Sequence, residues 1–251
     1  MRQLLVLMVA VLSILSVQSR PAAAGTVRAT DHSSFWLWGG VKPQPAVYRA
    51  DSLYILQGQV AERKVQEKTK VNVVPQGMTV ARLKKGKVWL VYRADTLHWP
   101  PDIMETIVAR LKLWQRSGNP VVGLQIDFDA RTRHLNEYSM FLQKVRTQLP
   151  ANYQLGITGL LDWCSTGDVE AINRLKNVVD EVVIQTYQGR RTIGNYSAYL
   201  PALRRLTLPF RIGLVQDGQW QAPEGLETNP RFQGYVVFLQ NQEQRPPGRS
   251  S

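Results

Sequence analysis

The sequence is poor in cysteine, histidine and acid. Cys164 is the sole cysteine among 251 residues, so no internal disulfide is available and the core must hold itself together. No histidine lies near Cys164 in sequence, which favours a half-buried thiol over a nucleophile. The three histidines, His32, His98 and His134, are far apart and show neither HxxxH nor HExxH spacing. A metal site, and with it metal-dependent deacetylation of a polysaccharide, is therefore without support. GxSxG, a phosphate loop and a dinucleotide fingerprint are all missing, so no cofactor is expected. Acids number 19 against 31 basic residues, a formal charge of +12.

Long apolar runs are scarce too. One occupies the start: Arg2 precedes Leu4–Val17, and Ala22, Ala23 and Ala24 stand before Gly25. Residues 1–24 read as a secretory signal peptide cleaved near Ala24. The run is short for a transmembrane helix, which needs about 20 apolar residues. No later stretch approaches that length, so the mature chain is expected to be exported, periplasmic or extracellular, with no transmembrane helix.

Much of the excess charge lies in residues 61–87, where Arg63, Lys64, Lys68, Lys70, Arg82, Lys84, Lys85 and Lys87 face Glu62 and Glu67. This segment reads either as a solvated protruding hairpin or as a contact for an anionic envelope surface, such as a charged glycan or lipid headgroups. An exported chain without a nucleic-acid motif is not expected to bind nucleic acid.

What the chain does have is a series of short apolar strands. They are Phe35–Trp38, Leu53–Gly58, Val88–Arg93, Val121–Phe128, Gln154–Leu160, Glu181–Thr186, Arg211–Val215 and Tyr235–Leu239. Helical periods fill the gaps at Pro101–Gly118, Arg131–Leu149, Asp168–Val179 and Tyr196–Leu206. Alternating β and α of this length implies parallel strands with right-handed crossovers. The expectation is a single-domain α/β fold over residues 25–240, an irregular (β/α)8 TIM-type barrel. A basic hairpin, with strand pieces Val71–Val74 and Thr79–Leu83, is inserted between strands two and three. An open doubly wound sheet is the alternative. Residues 241–251, with "RPPGRSS", read as a disordered tail. The echo of "VYRADSL" at Val47 in "VYRADTL" at Val91 is out of structural phase and reads as coincidence.

In such a barrel the strand C-termini carry function. On strand four, Gln125, Asp127 and Asp129 share one face and Leu124, Ile126 and Phe128 the other. Two carboxylates two residues apart, in a partly dry mouth, push one pKa upward, as a general acid requires. Glycosidic cleavage needs such a donor beside a stabilising charge. Other strand ends offer Trp38, Arg93, Asp95, His98, Thr158, Asp162, Trp163, Gln185, Tyr187, Gln216, Asp217 and Trp220. Aromatic faces with amides and carboxylates suit a sugar. Arg93 could instead neutralise one of the strand-four acids, a purely structural ion pair.

The stretch "VGLQIDFD" resembles the DGxDxDxE signature of chitinase-type glycoside hydrolases. Gly123 and Asp127 match, Asp129 stands where the catalytic Glu belongs, and Val122 and Gln125 replace acids. "QTYQ" at Gln185–Gln188 is similar to that family's MxYD, with Tyr187 retained. The resemblance implies Asp129 as proton donor, Asp127 as orienter of a substrate acetamido group and Tyr187 as its support. Asp is one methylene shorter than Glu. Over most of the mature chain, "FWLWGG", "VYRADTLHW", "LQIDFDA", "ITGLLDW" and "VDEVVIQTYQGR" resemble an uncharacterised family of exported bacterial proteins grouped with glycoside-hydrolase-like barrels. Two functions follow as expectations: a glycoside hydrolase acting on an envelope or extracellular polysaccharide, amino-sugar polymers included, or a glycan-binding barrel without turnover.

Overall fold

The structure is a computed structural model that describes residues 24–42, 44–65, 68–83, 86–129, 135–164 and 169–241. The expected signal peptide up to Ala23 and the tail from 242 lie outside the described residues. So do Glu67, Lys84, Lys85, His134 and Asp168, and the side chains of Lys68 and Cys164.

Eight strands form the barrel. They are β1 Ser34–Leu37, β2 Ser52–Val65, β3 Lys87–Ala94, β4 Val121–Asp127, β5 Gln154–Leu160, β6 Glu181–Gln185, β7 Phe210–Val215 and β8 Phe232–Phe238. Each pairs in parallel with its neighbours in chain order. The ring closes where β8 meets β1, Val237 beside Phe35 and Phe238 beside Trp36. Closure rules out the open sheet.

Helix α1, Pro101–Arg116, begins on the proline pair, where a missing N–H costs nothing. It buries Ile103, Met104, Ile107, Leu111 and Trp114. Helix α2, Leu135–Gln148, buries Leu135, Tyr138, Phe141, Leu142 and Val145. These faces meet Leu124, Ile126, Leu155, Ile157, Val182 and Ile184 from the outward sides of the strands in one core.

Three expectations change. Helix α3 covers only Val169–Asn173 before tightening into a 3-10 turn at Arg174–Asn177. The expected helix at Tyr196–Leu206 is two 3-10 turns, Tyr196–Ala198 and Leu200–Arg205. Pro201 explains the break, since it has no N–H to give and restricts Leu200 before it. Thr79–Leu83 is not a strand. Its backbone is held by one side chain instead: Asn119 donates to Ala81 O (2.9 Å) and accepts from Leu83 N–H (2.9 Å).

A hairpin stands between strands two and three, but its arms are β2 itself and Lys68–Pro75 rather than the expected pair of pieces, Val71–Val74 and Thr79–Leu83. Strand β2 runs on past the barrel and turns back as an antiparallel arm, Lys68–Pro75, in register from Gly58 opposite Pro75 to Val65 opposite Lys68.

A second, smaller cluster fills the barrel itself. Trp36, Tyr54, Trp89, Val91, Val183 and Val236 all point inward. Tyr54 and Trp89 stack at 5.7 Å and Trp36 meets Tyr54 edge-on at 5.9 Å. Glycines on facing strands make room for these rings. A Cβ at Gly213 would stand 2.9 Å from the Trp36 ring, and one at Gly156 3.2 Å from Trp89. Below the rings, Glu181 accepts from Tyr54 Oη (2.6 Å) and from Arg211 Nε (2.6 Å). The pore is thus plugged from beneath, and any site must lie above the rings.

Candidate active site

Above Trp36 the inward column of β4 continues. Gln125 is fully buried and its Oε1 accepts the Trp36 indole N–H at 2.6 Å. Its Nε2 has no hydrogen-bond partner among the described residues. Two residues on, Asp127 is 8% exposed and accepts from Thr158 Oγ1 at 2.8 Å. Asp129 follows just past the strand, its side chain 65% exposed and 3.7 Å from the Arg93 guanidinium. Arg93 is itself 45% exposed and sits beside Asp127 in the β3–β4 register.

The two carboxyls therefore share a face and differ in environment. Burial pushes the Asp127 carboxyl up to about 6. The Asp129 charge adds to that rise, while the Thr158 hydroxyl and Arg93 oppose it. Desolvation is the leading cause, as in a general acid set in a dry pocket.

Both acids open into a cleft of about 620 Å3 at the strand C-termini. That volume lies within the usual range for ligand sites. Tyr187, just past β6, also lines it. Burial and the nearby Asp127 charge hold the Tyr187 hydroxyl well above the usual phenol range, so it is a proton-bearing donor at neutral pH. One wall is aromatic. Phe238 stacks on Tyr187 at 5.5 Å and meets Trp38 edge-on at 5.6 Å. Asp162 and Gln185 complete the polar lining.

Of the residues singled out from sequence, the cleft gathers Trp38, Arg93, Asp127, Asp129, Asp162, Gln185 and Tyr187. Gln125 and Thr158 stand behind them. Others lie elsewhere. Asp95 accepts from Gln59 at 2.5 Å beside the hairpin. His98 is exposed on the β3–α1 loop and does not line the cleft. Trp163 is buried in the outer core against Tyr138. Gln216 is an internal tie, exchanging amide hydrogen bonds with Gln44 at 3.0 Å. Asp217 occupies a turn with φ of 64°, and Trp220 stacks on Tyr196 at 5.0 Å. Alternation sets direction within a barrel strand but not beyond its end, and these residues lie past the barrel strands, Trp163 in a 3-10 turn and Trp220 in a short strand paired with Gly25.

The sequence reading missed Phe238, Tyr199 and the turn at Gln188–Gly189. Phe238 was legible, because it follows Val236 by two on an inward-facing strand. Tyr199 was hidden by its place in an apolar helical period.

No curated protein matches the sequence. Among solved structures, the chain is similar to the Bacillus cereus spore cortex-lytic enzyme SleL, at 16% identity and a TM-score of 0.41. The likeness covers 73% of this chain and half of that one. It is similar to a chitinase from Ipomoea carnea at 16% identity and a TM-score of 0.37, over 62% of this chain and 69% of the other. A xylanase and alpha-amylase inhibitor protein from Scadoxus multiflorus matches at 14% identity and a TM-score of 0.45, over 82% and 92%. Residues 95–192, which carry both carboxylates and Tyr187, match the family described as a domain of unknown function, DUF3142.

Proposed function

We propose that the cleft binds a glycan and cleaves a glycosidic bond by carboxylate general-acid catalysis. The observation that carries this reading is a buried carboxyl, Asp127, with its pKa raised to about 6 and a second, water-exposed carboxyl two residues on in the same cleft. Asp127 holds the proton and gives it to the leaving oxygen as the C–O bond breaks. Asp129 stabilises the positive charge that builds on the sugar ring. Water then completes the sugar, and its proton returns to Asp127. Tyr187 donates to a substrate oxygen, and Trp38 and Phe238 cover the apolar face of a ring. This division differs from the one implied by the chitinase resemblance, which gives the proton to Asp129. Asp127 is the buried, proton-holding acid of the two, and Asp129 is two-thirds exposed beside the Arg93 guanidinium. The substrate is an envelope or extracellular polysaccharide, amino-sugar polymers included, and the site of action is outside the cytoplasm.

The test is a screen of the mature chain against such polysaccharides, with Asp127→Asn and Asp129→Asn as controls. Release of reducing ends by the parent chain, lost by at least a hundredfold in Asp127→Asn with binding retained, supports the reading. Binding without release of ends from any polymer favours a non-catalytic glycan-binding barrel. The observation on that side is Asp129 itself, a short acid held near Arg93.

A further inference from the structure

The basic hairpin extends from the C-terminal end of β2, the end of the barrel at which the cleft opens, and one residue decides which way its charges face. Strands β2 and β3 run in register from Tyr54 beside Trp89 to Leu56 beside Val91, then shift so that Gly58 lies beside Tyr92. Gln57 is the extra residue of a bulge. Its side chain is turned outward and pinned: Nε2 donates to Leu56 O (3.0 Å) and Met78 O (2.9 Å), and Oε1 accepts from Trp114 Nε1 (2.8 Å). A bulge reverses the inward and outward alternation beyond it. After it, Val60, Val71 and Val73 pack into the outer core. Gln59 instead lies beside Arg93, itself a residue of the cleft lining, on the inward side of the strand. Ala61 with Asn72, and Arg63 with Lys70, continue that face up the arm.

Arg63 and Lys70 are direct cross-strand partners, both exposed. Like charges placed opposite each other destabilise a hairpin. Neither makes an ion pair with a described residue. Two described acids of this region are engaged elsewhere: Glu62 accepts from Thr96, and Asp95 from Gln59. The arm thus sustains an unfavourable cationic pair about 13 Å above the Arg93 row, four strand residues on.

We propose that the arm reads the charge of the polymer lying in the cleft, and that the polymer is an acidic polysaccharide carrying carboxylate or phosphodiester groups along its chain. This rests on the glycan reading of the cleft and adds the substrate class. Arg63 and Lys70 contact acidic groups of the polymer outside the bond-breaking position. They are binding residues, remote from the reacting atoms.

The test measures equilibrium binding of the mature chain to a uronic-acid oligomer, to a phosphodiester-linked glycan and to a neutral chitin oligomer, at low and at physiological salt. Expected is salt-sensitive, tighter binding of at least one acidic polymer. The double variant Arg63→Gln/Lys70→Gln weakens it by about tenfold, two exposed charge contacts' worth, and leaves the neutral oligomer unaffected. Lys64→Gln removes one positive charge from the opposite face of the arm and leaves binding within twofold. The proposal is overturned if Lys64→Gln weakens binding as much as the double variant. It is overturned equally if the double variant changes nothing, or if duplex DNA or anionic vesicles bind as tightly as the acidic glycans. Acidic-polymer binding that depends on Arg63 and Lys70, without cleavage of any polymer, supports the arm and counts against the catalytic reading alone.

Discussion

Asp127 ties the chemistry of the site to the stability of the protein. Its carboxyl is raised from 3.8 to about 6 by burial, so the folded chain holds this proton more tightly than the unfolded chain does. The folded state is therefore favoured fully below about pH 4 and loses that advantage as pH rises through about 6, by about 3 kcal/mol in all. Asp127→Asn removes the cost of burying the charge while the amide oxygen still accepts from Thr158. The variant is expected to unfold at a higher denaturant concentration than the parent at pH 8 and at a similar one at pH 4. A parent chain whose midpoint is flat between those values would contradict the burial of this acid. Under the proposed mechanism the same proton gives turnover an alkaline limb: kcat/KM is expected to fall as pH rises above about 6. At this scale the sequence was informative where strand alternation applied. It placed Asp127, Asp129 and Gln125 on one inward face. It could not say which acid was dry, because the surroundings of Asp127 include Thr158 and Arg93, which arrive from two other strands.

At the scale of elements, the pairing of large rings with glycines decides how the barrel fills. Gly213 on β7 and Gly156 on β5 leave space for Trp36 and Trp89 from across the pore. Gly213→Ala puts a methyl 2.9 Å from a fully enclosed indole that also holds Gln125. The expected cost is about 1–3 kcal/mol, read from the denaturant midpoint. A smaller loss is expected in glycan binding, because Trp36 supports Tyr187 at 6.5 Å. The eight strands and the two long helices were legible from apolar periodicity, since each buries one continuous face. The bulge at Gln57 was not, because it is fixed by Trp114 and Met78, distant in sequence and close only once the barrel has formed. The 3-10 turns at 196–205 could have been suspected from Pro201.

For the whole molecule, closure is the seam with the fewest register pairs. Strand β8 meets β1 through only two register pairs, against four between β1 and β2. Side chains reinforce the seam. Asn241 accepts from Lys42 N–H and donates to Gly40 O, both at 2.8 Å. Gln44 donates to Gln240 O at 2.9 Å, and Arg190 reaches Asn241 O at 2.9 Å. Asn241, read from sequence as the first residue of a loose tail, is thus bonded into the barrel. Asn241→Ala is expected to lower stability by about 1–2 kcal/mol. Hydrogen exchange should quicken at Leu239 and Val41 before it does in β4 or β5. Uniform exchange around the ring would show that the seam is not the soft point.

That seam has a further consequence. Trp38 follows the first strand and Phe238 ends the last, and they touch only after the ring has closed. A chain that ends before β8 lacks Phe238 and with it part of the aromatic wall. The aromatic side of the pocket is therefore complete only in a chain whose last strand is docked, and under the glycan proposal binding reports that docking.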